Sequence, residues 1–128
     1  MKGELEIKTK KVMMVEDDEH FRQTLRKLLM SRFPSFAFEE ARDGKEAMEK
    51  IEVFLPDLIF MDIKLPGESG LELTKRIRKV YPETVIIILT GYDLPEYREA
   101  AYESGANHFA SKDSSSVREI LGLVESLF

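Results

Sequence analysis

The chain has 128 residues, 43% of them hydrophobic and 34% charged, with a formal net charge of −5. That is enough for one domain around one core, too apolar for a disordered tract, and too acidic for a general nucleic-acid binder, which needs a basic surface to neutralise phosphates. Cysteine is absent, which excludes a disulfide framework and thiolate metal sites, and no apolar run approaches the ~20 residues that cross a bilayer.

Met1–Lys10 reads as a short polar lead of mixed charge without the apolar stretch of a secretory signal. The folded domain is expected over residues 11–128, and a cytoplasmic location is the expectation. A continuous apolar run, Val12–Val15, comes first, followed by Phe21, Leu25, Leu28 and Leu29 at helical spacing. A weaker strand candidate, Phe36–Ala41, precedes a second helical stripe of Ala47, Met48, Ile51 and Leu55. The run Leu58–Met61 is followed by Leu73, Ile77 and Val80, and the run Val85–Leu89 by a short, weakly apolar helix over Pro95–Ser104. Asn107–Ser111 is the last strand candidate; Val117, Ile120, Leu121, Val124 and Leu127 form the last stripe. Asp43…Glu46, Ser69…Glu72, Asp93…Glu96 and Ser116…Glu119 each have the spacing of a capping box, and Gly105 stands where a helix-terminating glycine belongs.

The three strong strands are continuous apolar runs rather than alternating ones, the pattern of strands covered on both faces in a parallel sheet. Five strands alternating with five helices predict a doubly wound α/β fold. In such a sheet ligands bind beyond the carboxyl ends of the strands, so the residues after each run carry the chemistry. They are Glu16, Asp17 and Asp18 after the first, Asp62 after the third, Thr90 after the fourth and Lys112 after the fifth. Carboxylates from two strands repel unless something neutralises them, and two candidates exist: a divalent cation such as Mg²⁺, which takes hard oxygen ligands, and the Lys112 ammonium. A carboxylate beside such charge can act as a nucleophile toward phosphorus, with Lys112 and the Thr90 hydroxyl left to meet the phosphoryl oxygens.

Val12-Met-Met-Val-Glu-Asp-Asp-Glu19, Met61-Asp-Ile-Lys-Leu-Pro-Gly67, the Ile86–Gly91 run ending in Thr90-Gly91, and Ser104-Gly-Ala-Asn-His-Phe-Ala-Ser-Lys112 occur in that order, each at a predicted strand. With these pieces the chain resembles the receiver domain of two-component response regulators, over roughly Lys11 to Phe128. The resemblance implies a five-stranded, flavodoxin-like sheet in the order 2-1-3-4-5. It implies Asp62 as the phosphoacceptor, served by a histidine kinase or phosphotransfer protein. Matching Phe21-Arg22 and Leu25 to the family pattern selects Glu16 and Asp17 as the acidic pair that holds Mg²⁺ with Asp62 and the backbone carbonyl of Lys64. Thr90 is similar to the family's switch hydroxyl, Phe109 to its switch aromatic and Lys112 to its lysine. The implied output is an altered surface of the fourth helix, fifth strand and fifth helix, read by a downstream protein or by an output domain. A homodimer that depends on phosphorylation is among the partners it allows; membrane and direct nucleic-acid binding by this chain are not expected.

The chain departs from many relatives after the lysine, where it has Asp113 and Ser114–Ser116 in place of proline. This run looks like the subset usually joined to helix-turn-helix domains. Lys64 and Tyr92 occupy the positions that help set the lifetime of the phosphorylated state, and neither is a water-positioning amide or carboxylate, so slow self-dephosphorylation is expected; a half-life of seconds would contradict this.

Each residue also has a plainer reading. The acids after the first strand suit a helix N-terminus, Asp62 a turn before Pro66-Gly67, Thr90 a strand exit, and Lys112 a solvated surface; their joint placement at strand ends argues otherwise. His20 and His108 read as structural, Phe109 by spacing alone as core, and Arg22, Arg26, Lys27 and Arg32 as a solvated helix face, which in the family also docks the kinase. Of the competing functions, a Mg²⁺ phosphohydrolase of the haloacid-dehalogenase type wants a second Asp two residues after the nucleophile, where this chain has Lys64. A flavin-binding module wants a Ser/Thr/Gly-rich phosphate loop where this chain has Glu16–Glu19. A transcription factor needs a basic recognition helix that these residues do not supply.

Overall fold

A computed structural model describes residues 9–91, 93–113 and 116–128. The lead expected over Met1–Lys10 lies outside it up to residue 8, as do Tyr92, Ser114 and Ser115. The described elements are β1 (Lys11–Val15), α1 (Glu19–Arg32), β2 (Ala37–Ala41), α2 (Gly44–Phe54), β3 (Leu58–Asp62), α3 (Gly70–Val80), β4 (Val85–Thr90), α4 (Pro95–Glu103), β5 (His108–Ser111) and α5 (Val117–Leu127). The strands form one parallel sheet in the order β2-β1-β3-β4-β5, so the chain winds outward in both directions from β1 and β3, as expected of a doubly wound fold.

Alternate side chains of the sheet enter two separate cores. Met13, Val15, Ile59, Met61, Ile86, Ile88 and Phe109 meet Ala47 and Ile51 of α2, Leu73 and Ile77 of α3 and Ala101 of α4. Val12, Met14, Leu58, Phe60, Ile87, Leu89 and Ala110 meet Leu25 and Leu29 of α1 and Ile120 and Val124 of α5. Burial on both faces explains the unbroken apolar runs in β1, β3 and β4, while the edge strand β2 is only half-buried and carries Glu39 and Glu40. Each large side chain removed from water here contributes on the order of 1.5–3 kcal/mol.

Two stripe assignments fail at helix ends. Leu55 is 52% exposed and caps α2 in the left-handed conformation, and Val80 is 61% exposed at the last turn of α3. A stripe ends where the helix does, and the apolar residue past that point has no face to join. The capping boxes divide similarly. Asp43 accepts from the Glu46 N–H and Ser69 from those of Leu71 and Glu72. Asp93 does not cap α4, whose N-cap residue is Leu94 with Pro95 in the first turn, and Ser116 makes no side-chain cap on α5. Asp93 pairs with Arg98 instead, at 3.2 Å. Gly105 lies at φ +107° just past α4, the left-handed position that favours glycine.

Candidate functional site

Register decides which strand ends meet. Val15 lies beside Met61, Asp62 beside Leu89, and Thr90 beside Ser111. Glu16, the next residue after β1, therefore emerges next to Asp62 at the end of β3. Lys112 follows β5, and its N–H donates to the Thr90 carbonyl at 2.9 Å. Four stretches of chain up to 96 positions apart (Glu16 to Lys112) thus open onto one edge.

The carboxylates of Glu16, Asp17 and Asp62 each place an oxygen within 4.8 Å of the others. Glu16 and Asp62 are each 5% exposed, whereas Asp17 is open to solvent. The Lys112 ammonium lies 2.6 Å from Glu16 and 3.4 Å from Asp62 and sits 4.8 Å from the centre of the Phe21 ring, a cation–π contact. Burial pushes Glu16 up to about 7, aided by the charge of Asp62 and opposed by the Lys112 hydrogen bond. Burial likewise raises Asp62, and Lys112 works against the rise. For Lys112 itself, burial disfavours the charged form, but its contacts with Glu16 and Asp62 outweigh that and hold it above its usual range. The donors are carboxylate oxygens only, two of them desolvated, a set that fits Mg²⁺ or another hard divalent cation.

The other expected residues lie outside this cluster. Thr90 is fully buried at the end of β4. Lys64 lies two residues beyond Asp62, with its side chain in solvent. Phe109 is buried in the core shared with α2, α3 and α4, and the Arg98 guanidinium covers its ring at 4.7 Å. His20 is exposed and His108 half-buried on β5.

Asp18 has the plain role of a helix cap: its carboxylate accepts the Phe21 N–H at 3.1 Å, while its own N–H donates to Glu16 Oε2 at 3.0 Å. Arg22 corrects the reading of a wholly solvated helix face. It is 7% exposed, its Nε donates to Glu40 at 2.5 Å and its Nη1 to the Glu16 carbonyl at 2.7 Å. The signal was present, since Arg22, Leu25 and Leu29 share the i, i+3, i+7 spacing of the buried face; a charged side chain masked it. Gly70 lies inside the Ser69…Glu72 capping pattern. Its N–H donates to the Ile63 carbonyl at 2.9 Å, and a Cβ built on it would lie 1.8 Å from the Asp62 carbonyl oxygen. A glycine in the first turn of a helix, where better helix formers are available, was the available sign of a close approach.

Comparison with known proteins agrees with this fold. A family model described as "Response regulator receiver domain" matches residues 12–125. The response regulator MprA of Mycolicibacterium vanbaalenii is 30% identical over 117 residues, 91% of this chain and 49% of that protein, so the chain spans about half the length of this relative. The crystal structure of a LuxR-family two-component response regulator from an Aurantimonas species superposes with a TM-score of 0.84 at 32% identity, covering 94% of this chain and 85% of the other. A CheY-like receiver domain protein from Methanospirillum hungatei gives 0.83 at 28% identity, covering 93% of each chain.

Proposed function

The chain belongs to the response regulator receiver domain family, whose members are signalling proteins rather than classical enzymes, and on that premise we propose that it is a switch thrown by phosphorylation of Asp62. The receiver domain spans residues 11–128. The donor is a phosphohistidine on a kinase or phosphotransfer protein. An Asp62 oxygen attacks phosphorus; the O–P bond forms as the P–N bond breaks, and the departing imidazole takes up a proton.

The observation that carries this reading is the gathering of Glu16, Asp17 and Asp62 within 4.8 Å, with one ammonium reaching two of them. Glu16, Asp17, Asp62 and the Lys64 carbonyl would hold Mg²⁺, which supplies positive charge to the phosphoryl oxygens. Lys112 keeps Asp62 available as the ionised nucleophile and then pairs with a phosphoryl oxygen. The Thr90 hydroxyl donates to another, and Phe109 moves toward the space behind it. The surface of α4, β5 and α5 changes population as a result. A separate partner or an output domain reads that surface, in the cytoplasm; among the described residues no helix is long and apolar enough to cross a membrane.

Intact mass after incubation with Mg²⁺ and acetyl phosphate tests the proposal. One labile phosphate adduct is expected on the parent chain and none on Asp62→Ala. A parent chain that takes no adduct from acetyl phosphate or from a phosphohistidine donor overturns it.

A further inference from the structure

The buried arginine of α1 donates to the carbonyl of Glu16 in the acidic loop, at 2.7 Å. That carbonyl belongs to the peptide joining Glu16 to Asp17. A peptide is planar and barely twists, so holding its oxygen sets the orientation of the backbone on both sides of it, and with that the direction in which both carboxylates leave the chain. The N–H of Glu16 is held by the Ala41 carbonyl at 2.9 Å, and the N–H of Asp18 by Glu16 Oε2 at 3.0 Å. The loop is thus tied to β2 on one side and to itself on the other. Arg22 ties the central peptide to the helix.

The guanidinium is itself fixed. Its Nε donates to Glu40 at 2.5 Å, and Glu40 also accepts from Arg26 and, at 3.2 Å, from Gln23. Glu40 lies beside Met14 in the sheet. Planar geometry and several donors let one arginine reach a carboxylate and a carbonyl together, whereas lysine offers a single ammonium. Arg26 shares the Glu40 carboxylate with Arg22 and serves as the comparison.

We infer that Arg22 is a positioning residue for the divalent-cation site: it clamps the Glu16–Asp17 peptide so that both carboxylates converge on Asp62. The inference rests on the reading of Glu16, Asp17 and Asp62 as ligands. Outer residues that orient ligands typically change metal affinity 10–100-fold when lost, and a loss of about that size is expected for Arg22→Met. Glu40 keeps Arg26 and Gln23 as partners in that variant, so the fold has a route to survive.

The experiment is Mg²⁺ titration by calorimetry on the full chain, with urea unfolding measured in parallel to separate affinity from stability. The parent chain is expected to bind, Asp17→Ala to lose binding, Arg22→Met to bind about 10–100-fold more weakly, and Arg26→Met to bind as the parent does. Should Arg22→Met fail to fold, the double variant Arg22→Met/Glu40→Gln, which removes the buried arginine and its carboxylate partner together, takes its place with the same expectation. A folded Arg22 variant with the parent's affinity overturns the inference alone, and so does an equal loss in Arg26→Met. A parent chain that binds no Mg²⁺, or an Asp17→Ala variant that binds it equally well, overturns the metal reading and the inference with it.

Discussion

Glu40 shows how a single side chain on an edge strand becomes structural. Burial alone would raise its carboxyl above the usual value, but the hydrogen bonds from Arg22 and Arg26 outweigh burial and hold it below. A carboxylate whose folded value is depressed adds stability above its unfolded value, here 4.5, and that contribution disappears as pH falls through the folded value. Glu40→Gln is therefore expected to cost about 1.5–3 kcal/mol near neutral pH, the range for hydrogen bonds to charged groups. In urea unfolding, the gap between parent and variant should close as the solution is acidified below the unfolded value; a gap independent of pH contradicts the assignment. Reading residue by residue, the sequence separates Asp18 from Glu16 and Asp17 only through a family resemblance. The hydrogen bond to the Phe21 N–H shows why Asp18 stands apart: it is committed to capping α1.

Two glycines in helices show that the same substitution has opposite signs in different packing. At Gly70 in α3 a methyl group would lie 1.8 Å from the Asp62 carbonyl oxygen, so α3 must withdraw from β3 to admit it. Gly122 in α5 is exposed, and a methyl group there meets nothing within 4 Å. Gly70→Ala is expected to destabilise by about 1–3 kcal/mol or more, the range for overpacking. Gly122→Ala is expected to stabilise by roughly 0.5–1 kcal/mol, because alanine loses less backbone freedom in a helix. Urea midpoints of the two variants check both signs. The caps make a parallel case: Asp43 and Asp93 share one local pattern, yet only Asp43 caps a helix, because Pro95 and the Arg98 pair give the start of α4 a different geometry. Periodicity located every strand to within one residue at either end, since each is a short run between polar segments. It overran at Leu55 and Val80, where apolar residues continue past the last covered turn.

At the scale of the molecule, the carboxyl edge of the sheet concentrates like charge. Glu16, Asp17 and Asp62 lie together, and Lys112 is the cation in contact with two of them. A cation that binds the folded chain and not the unfolded one stabilises it by mass action, about 2.7 kcal/mol at a hundredfold excess over the dissociation constant. Mg²⁺ should accordingly raise the thermal midpoint in a concentration-dependent way. Chelator should return it to the starting value, and Asp17→Ala should show little response. A midpoint indifferent to Mg²⁺ in the parent chain would count against a site at this edge.

Element order, the parallel sheet buried on both faces, and the placing of Asp62, Thr90 and Lys112 at or just beyond the carboxyl ends of strands were all determined by the sequence alone, because apolar spacing and chain order are local properties. The tertiary structure decided what local pattern does not encode: that Val15 pairs with Met61 and Asp62 with Leu89, bringing Glu16 and Lys112 to the same carboxylate. It also decided that Arg22 turns inward to the Glu16 carbonyl and that Gly70 leaves room for the Asp62 backbone. The strand pairings join segments distant along the chain, and the two shorter-range contacts exist only once α1 and α3 are seated on a sheet whose register is fixed.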